Sequence, residues 1–455
     1  MKTGIVNSRS FLEGDHRIDP DLYLSNGAKI RREIHNLPYE LSTVGENAEN
    51  VFYGNIFSRM FVSKPSHGVE YLAASDTVLS DLHTGRYISK IQAKALKYLI
   101  LEKGWILVTC SGTLGNVTYT TKEFAGKLAT HDLIRIIPNS KKVNAGTLYA
   151  FLSSKYGYFQ ITQSQFGGVV KHINESQMSS VLVPVFPESF QTEVDNLIQE
   201  SARLREEAND KLEEAIEYFN EHYPIKDGIQ QYFYKKVSEL KNGFAAYNNN
   251  LEVDDYIRSY SSNSFIVGDE ADECFAPPMF KHIYLLKDNG YPFMTGSELQ
   301  RFNLRYYRWL SPRGVKDIND YVVHKGTLLL YKSGTTDGGI LGNVFIVDNQ
   351  LDGCCLSDHV IRVVFKDLKK AYWTYAFLKS KGGKRILIRL ATGTMIPFIT
   401  PEKLSDIPIP NPDGHYEKVV QDIDECIDKS SRAKVAENKA ITMVEDEIEK
   451  WNKAN

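Results

Sequence analysis

ESFQTEVDNLIQESARLREEANDKLEEAIEYFNEH (Glu188–His222) is the stretch on which the reading of this chain turns. It holds neither Pro nor Gly and is rich in Glu, Ala, Leu and Arg, all good helix formers. Val194, Leu197, Ser201, Leu204, Ala208, Ala215 and Tyr218 recur at alternating steps of three and four, the seam of a coiled coil. Such a stripe requires a partner. His415–Trp451 supplies one, with Val420, Ile423, Ile427, Ile441, Val444, Ile448 and Trp451 in the same frame. Each helix follows a larger globular segment, so the order is globule, helix, globule, helix.

The bulk numbers agree with that plan. A chain of 455 residues holds two or three domains, each large enough for its own core. Hydrophobic content of 42% and charged content of 24% are ordinary for a globular protein. No run of about 18 apolar residues marks a membrane span, and the opening MKTGIVNSRSFLEGDHRIDPD lacks the apolar run of a secretory signal. Cys110, Cys274, Cys354, Cys355 and Cys426 are odd in number, with no C-x-x-C. That usage fits reduced thiols in a cytoplasm and argues against a disulfide framework or a zinc site. The net charge of −3 speaks weakly against nucleic-acid binding. The helices are acid-rich, however, so the globules are less acidic than the total.

Taken in order, residues 1–30 read as irregular, and Ile34 to Lys103 as short strands between Gly, Pro, Asn and Ser. Strands follow at Trp105–Thr109, Val117–Tyr119 and Leu133–Ile137, then a helix over Ala145–Thr162, a loop at Ser164–His172 and a strand at Val181–Pro187. Residues 223–247 read as a linker, after which the pattern restarts. KGTLLLYKSG (Lys325–Gly334) matches KGWILVTCSG (Lys103–Gly112), and LGNVFIV (Leu341–Val347) matches LGNVTYT (Leu114–Thr120). SDHVIRV (Ser357–Val363) matches THDLIRI (Thr130–Ile136), YAFLKSK (Tyr375–Lys381) matches YAFLSSK (Tyr149–Lys155), and IPIP (Ile407–Pro410) matches VLVP (Val181–Pro184). The offset is 226 from Ala150 to Ala376 and again from Pro184 to Pro410; before one longer turn, Gly334–Gly339, it is 222, from Gly104 to Gly326. Five ordered blocks at near-constant offset are a duplication of half the chain. Two modules joined by a rod suit a target with two separated features, such as two half-sites on a duplex. The segments that differ between copies, Arg31–Glu102 against Ser261–His324 and the turns around Thr113 and Thr335, are then the recognising parts.

This arrangement resembles the specificity (S) subunit of type I restriction-modification systems, or of a closely related multi-subunit methylation-based defence system. The resemblance rests on RIDPDLY (Arg17–Tyr23), the paired KG…SG…LGNV blocks, the YAFLxSK helix, the Gly-containing loop before a strand ending in Pro, and the two helices. It covers nearly the whole chain, with a weak second opening at LEVDDYI (Leu251–Ile257) and a long 223–247 segment as departures. It implies an α+β protein of two mixed α/β target-recognition domains, each followed by a long helix. The helices form an antiparallel coiled coil with pseudo-two-fold symmetry. The boundaries are 1–187 for the first domain, 188–222 for its helix, 223–247 for the linker, 248–412 for the second domain and 413–455 for the last helix. The resemblance further implies partners: double-stranded DNA with a bipartite site, two methyltransferase (M) subunits and, in restricting systems, restriction/translocase (R) subunits. S-adenosylmethionine belongs to the methyltransferase subunits, and this chain carries no cofactor, metal or catalysis of its own.

Base readout needs short polar or bidentate side chains on projecting loops. In the first copy the candidates are Ser111, Thr113, Gln163, Gln165, Lys171 and His172; in the second they are Lys332, Ser333, Thr335, Thr336, Arg389, Thr392, Thr394 and Met395. Arg86, Lys90, Lys94, Lys97, Arg301, Arg305 and Arg308 suit phosphate contacts better than base contacts. Each of these residues also reads as an ordinary turn residue or a solvated charge. His131–Asp132 and Asp358–His359 suggest a base beside its carboxylate, but neighbours on a strand point to opposite faces and the order is swapped between copies. A structural hydrogen bond at a strand start accounts for them. No phosphate-cradling Gly motif, methyltransferase motif or nuclease motif occurs. Two other classes remain: a non-DNA protein-interaction scaffold of a defence complex, and an enzyme fusing recognition to catalysis.

Overall fold

The computed structural model describes residues 25–163, 172–226, 233–240, 245–286, 289–303, 308–334, 339–393 and 395–454. The chain divides into two units, Met1–Glu206 with Arg432–Asn455, and Glu207–Ser431. Each therefore combines a globule with parts of both long helices.

In the first unit, helix α1 (Asn26–His35) precedes β1 (Glu40–Thr43), β2 (Ala48–Phe52), β3 (Phe61–Val62), β4 (Gly68–Leu72), β5 (Tyr87–Ser89), α2 (Lys90–Ala95), β6 (Ile106–Thr109), β7 (Val117–Tyr119), β8 (Leu128–Ala129) and β9 (Leu133–Pro138). Helices α3 (Ala145–Ser153), α4 (Lys155–Gln163) and α5 (Glu175–Ser179), strand β10 (Leu182–Val185) and the long helix α6 (Glu188–His222), which continues past Glu206 into the second unit, follow. One sheet has the order β2-β9-β6-β7 and is antiparallel; the other, β3-β5-β4-β8, contains a parallel β4–β8 pair. β1 pairs with β10.

The second unit repeats this. Its elements are α7 (Leu251–Tyr260), β11 (Ser264–Ile266), α8 (Val267–Glu270), β12 (Ala271–Phe275), β13 (Tyr284–Leu285), β14 (Tyr291–Met294), α9 (Gly296–Leu299), β15 (Arg308–Leu310), β16 (Leu328–Tyr331), β17 (Val344–Ile346), β18 (Cys355–Leu356) and β19 (Val360–Phe365). Helices α10 (Leu368–Lys379), α11 (Lys381–Leu390) and α12 (Pro401–Ser405), strand β20 (Pro408–Pro410) and helix α13 (Tyr416–Ala454), which from Arg432 on belongs to the first unit, follow. The sheets run β12-β19-β16-β17 and β13-β15-β14-β18, with β14–β18 parallel and β11 paired to β20. The duplication thus extends into the segments whose sequences differ. It also places a helix, α1, at the border of residues read as irregular.

The repeated blocks have local causes. WILVT and LLLY are apolar at successive positions because β6 and β16 are buried on both faces. Ile106 and Val108 join the core under α3, whereas Leu107 joins the cluster of Leu72, Leu101, Phe124 and Leu133. Leu328 and Leu330 separate from Leu329 and Tyr331 in the same way. The YAFLxSK block is a helix-to-helix corner. Ser154 and Ser380 end one helix, and their Oγ atoms accept from the amides of Gly157 and Gly383 in the next. A Cβ on Gly157 would lie 2.4 Å from the Phe151 carbonyl, and one on Gly383 2.1 Å from that of Phe377, so both corners exclude a side chain there.

The two long helices pair within each unit. In the second unit Lys429 reaches Glu207 at 2.6 Å, Lys211 reaches Asp422 at 3.1 Å and Lys418 reaches Glu214 at 3.1 Å, an antiparallel register. Ala215, Phe219, Val420, Ile423 and Ile427 pack into the globule's own core. In the first unit Val194, Ile198, Ala202, Ile441, Val444 and Ile448 do the same. Ile198 is buried and Leu197 only partly so, because α6 packs against its globule as well as against α13. The polar interruptions have partners. Ser201 Oγ donates to the Ala433 carbonyl at 2.8 Å, and Glu437, fully buried, accepts from both Arg205 and Tyr149. Burial, with the adjoining Glu437 charge, drives the Tyr149 hydroxyl well above its ordinary pKa. Among the described residues no helix is long and apolar enough to cross a membrane.

Part of the segment read as a linker is docked: Lys235 is paired with Asp254 at 2.6 Å, and Arg385 donates to the Lys226 carbonyl at 2.9 Å. Just after it, the Asn248 side-chain amide donates to the carbonyls of Arg389 and Ala391 at 2.6 and 2.7 Å.

Candidate nucleic-acid interface

The end of β6 meets two loops. The Cys110 amide donates to the Asp132 carbonyl at 3.2 Å, and the Ile173 amide to the Cys110 carbonyl at 3.1 Å. Ser111 and His172 form an isolated antiparallel bridge. The second unit repeats the frame: the Lys332 amide donates to the His359 carbonyl at 2.9 Å, and the Ile399 amide to the Lys332 carbonyl at 2.7 Å. Here Ser333 bridges Phe398. In both units three loop segments therefore converge on one strand end, the loop geometry suited to presenting side chains to a groove.

Side chains fill this frame differently. Ser111 Oγ donates to Asp132 Oδ1 at 2.8 Å, and Thr130 Oγ1 to Asp132 Oδ2 at 3.2 Å. The His131 Nε2 lies 3.6 Å from Asp132 Oδ1, and its ring packs edge-on to Phe57. In the second unit Ser333 Oγ lies 3.2 Å from His359 Nδ1, and His359 Nε2 lies 3.9 Å from Asp358, beyond hydrogen-bonding reach. Burial, followed by the charge of Asp132, pushes the Cys110 thiol up to about 12.

Of the other candidates, Thr113 is exposed in the turn after β6, where its carbonyl accepts from Thr109 Oγ1 at 2.6 Å. Gln163 ends α4, where a methyl on Gly27 would lie 2.5 Å from its Cβ; it faces α1 rather than the strand end. Lys332 is half-buried. Thr392 closes a narrow hairpin with Phe398, by amide-to-carbonyl bonds of 2.8 and 2.7 Å, and Met395 at its tip is 92% exposed. Arg389 lies inside the unit: it is buried, ion-paired with Asp254, and donates from Nε to the Asn248 carbonyl at 3.2 Å. Those contacts tie it to the stretch that follows the linker, Asn248 and Asp254, and keep the guanidinium from the surface. Gln165, Lys171, Thr335, Thr336 and Thr394 lie outside the described residues, as does Arg305. Among the phosphate candidates, Lys90, Lys94 and Lys97 are exposed on and after α2, whereas Arg86 pairs with Asp76 and Arg308 with Glu298.

Two features escaped the sequence reading. The arginine of each LIRI/VIRV block is buried, and carbonyl oxygens hold its guanidinium. Arg135 donates to the carbonyls of Leu133, Leu99, Ala129 and Thr130, and Arg362 to those of Val360, Leu356, Ser357 and Tyr321. Each holds the turn that carries the Asp132 or His359 end of the frame. Burial pulls both guanidinium groups down to about 10. The second feature is a loop. IFSRM (Ile56–Met60) and MFKHI (Met279–Ile283) stand at the same place between the two sheets, at an offset of 223 from Phe57 to Phe280. Both start with an exposed apolar residue, Ile56 at 86% and Met279 at 85%. Letting the offset slip by one residue, from 222 to 223, through the divergent segment reveals this pattern.

The family described as "Type I restriction modification DNA specificity domain" matches residues 48–214 and 275–431, one match in each copy of the duplication. The chain belongs to this family, which gives it a role in DNA sequence specificity. Similar solved structures include the type I restriction-modification S subunit from M. genitalium, at 12% identity over 92% of this chain and 96% of that one, with a TM-score of 0.33. The HsdS subunit from Thermoanaerobacter tengcongensis is 13% identical over 91% of this chain and 97% of that one, with a TM-score of 0.27. A chain from a structural study of complex assembly and conformational transition of the type I R-M system is 15% identical over 92% and 98%, with a TM-score of 0.29. A search of the curated proteins gave no match.

Proposed function

We propose that this chain is the non-catalytic recognition subunit of a cytoplasmic, methylation-based defence complex. The domain at 1–187 reads one half of a bipartite duplex target, and the domain at 248–412 reads the other. The paired helices set the spacing between halves and dock two methyltransferase subunits, which hold S-adenosylmethionine and methylate adenine. R subunits join where the system also restricts foreign DNA. The observation that carries this reading is the duplicated strand-end frame. Ser111, Thr113, Gln165, Lys171 and His172 contribute base contacts in the first copy. Lys332, Ser333, Thr335, Thr336, Thr392, Thr394 and Met395 do so in the second, with Lys90, Lys94 and Lys97 on phosphate.

The test is modified-base sequencing of a methylation-null host expressing the methyltransferase subunit with and without this chain. The expected result is adenine methylation confined to a two-part motif with a fixed gap, and only with the chain present. Exchanging residues 1–186 for those of a relative should change one half of the motif alone. Methylation that ignores this chain would move the assignment to a protein-interaction scaffold. Methylation by the purified chain alone would move it to a fused recognition enzyme.

A further inference from the structure

Ile56 and Met279 call for an explanation, since a branched or long apolar side chain left at 86% or 85% exposure gains nothing in the free protein. Both sit on loops that are held rather than loose. Gln92 accepts from the Met60 amide at 2.9 Å and donates to the Ser58 carbonyl at 2.5 Å. In the second unit Tyr321 Oη donates to the Pro278 carbonyl at 3.0 Å, and the Ser311 amide to that of Ile283 at 2.8 Å. The first loop borders the strand-end frame, and the second is joined through Tyr321 to the chain that leads into its frame. Phe57 packs on His131 with ring centroids 5.8 Å apart, next to the Asp132–Ser111 bond. Phe280 packs on Tyr321 at 4.3 Å, and the Tyr321 carbonyl accepts from the Leu356 amide, just before Asp358–His359.

We propose that Ile56 and Met279 are apolar wedges that enter the base stack at the edge of each half-site and bend the duplex there. This rests on the DNA-reading assignment made above. Phosphates offer such a side chain nothing and sugars only narrow C–H edges, whereas base faces at an opened step give a broad apolar surface. A thymine methyl in the major groove is the other apolar surface on DNA, but reading it ties a residue to one base. The apolar tip and the following Phe persist in both copies while the recognising segments around them diverge, which suits a contact indifferent to sequence. A loop held in place beforehand also loses little entropy on insertion.

The experiment uses the full-length chain assembled with its methyltransferase subunits, on duplexes bearing the sequenced motif. Aminopurine is placed at successive positions, and dyes on the duplex ends report the bend. The wild type should unstack one step in each half, away from the methylated adenine. Ile56→Ser should abolish that signal and its share of the bend in one half only, with roughly tenfold weaker binding, and Met279→Ser should do so in the other. Ile56→Leu should restore both. The methylated motif should stay the same in every variant. Both tips point to solvent, so unchanged circular dichroism and thermal melting would confirm that the variants fold. Specific binding by the wild type with no unstacked step, or variants with an unaltered bend, would overturn the wedge. So would an affinity loss that deoxyuridine in place of thymidine reproduces without any change in bend. If the wild type shows no motif-specific binding, the DNA-reading assignment itself fails, which is a different result.

Discussion

Replacing Arg135 or Arg362 with Met tests the buried arginines. Arg135 is fully buried and makes four bonds to carbonyls, at 2.9, 3.3, 3.0 and 3.1 Å. At about 1.5 kcal/mol for a bond from a charged donor, these contribute about 6 kcal/mol. Against them stands the burial of the charge itself. Its depression to about 10 corresponds to a cost of about 3 kcal/mol. Methionine removes that cost along with the four bonds, so the expected net loss is about 3 kcal/mol. Arg362 has a similar set of carbonyls and the same depressed value, so its replacement should cost about as much. The four tryptophans make this measurable unit by unit: Trp105 and Trp451 fall in the first unit, Trp309 and Trp373 in the second. Urea titration of fluorotryptophan-labelled protein, followed resonance by resonance, should show Arg135→Met shifting the first pair and Arg362→Met the second. A loss under about 0.5 kcal/mol, within the range of an ordinary surface change, would refute the cradle argument. Equal shifts of all four resonances from either variant would refute its confinement to one unit.

Three further outcomes are expected. Burial would raise the Glu70 carboxyl, but hydrogen bonds and charge from His83 and Lys127 outweigh it and hold it at about 2. The stabilisation is then present above about 4.5 and lost as pH falls toward 2. Glu70→Gln should therefore cost up to about 3 kcal/mol at neutral pH, with the gap to wild type closing over that window in unfolding titrations. Ile427→Asp introduces a charge where the side chain is 6% exposed, and should cost about 4 kcal/mol and release the methyltransferase in a pull-down. A stoichiometric complex retained by that variant would count against docking on the helices. The Cys110 thiol, held near 12 by burial, should resist iodoacetamide at mildly alkaline pH in the native protein and react once unfolded, as mass spectrometry can read.

The parts legible from sequence are those governed by local periodicity or by repetition. Helix α6 declared itself through its seam, and the β6–β7–β9 blocks through their second copies. The β3-β5-β4-β8 sheet did not, because β3 and β8 are two residues long and β4 joins β8 by a parallel pairing, Tyr71 with Leu128, that no local pattern encodes. Helix α1 was hidden by Gly27, which reads as a breaker but is needed where α1 approaches α4. At the site, the SG and SDH/THD blocks located the strand ends. They could not tell a side chain facing solvent from one turned inward, so Arg389 entered the candidates through its position in a loop-like run and turned out to be paired with Asp254. Ile56 was passed over for the opposite reason, since apolar residues in a strand-rich segment are normally core.

The first unit draws its core from two distant stretches of chain: Ala440, Ile441, Val444 and Ile448 complete a cluster otherwise built before residue 207. During synthesis the earlier stretch emerges half a chain ahead of the later one. The second unit, Glu207–Ser431, is continuous and meets no such delay. The order of maturation is thus expected to run against the order of translation: the amino-terminal half waits, partly open and in need of protection from aggregation, until the final helix leaves the ribosome. A nascent chain with only its residues up to Ser431 outside the ribosome would carry one finished unit and one still lacking part of its core.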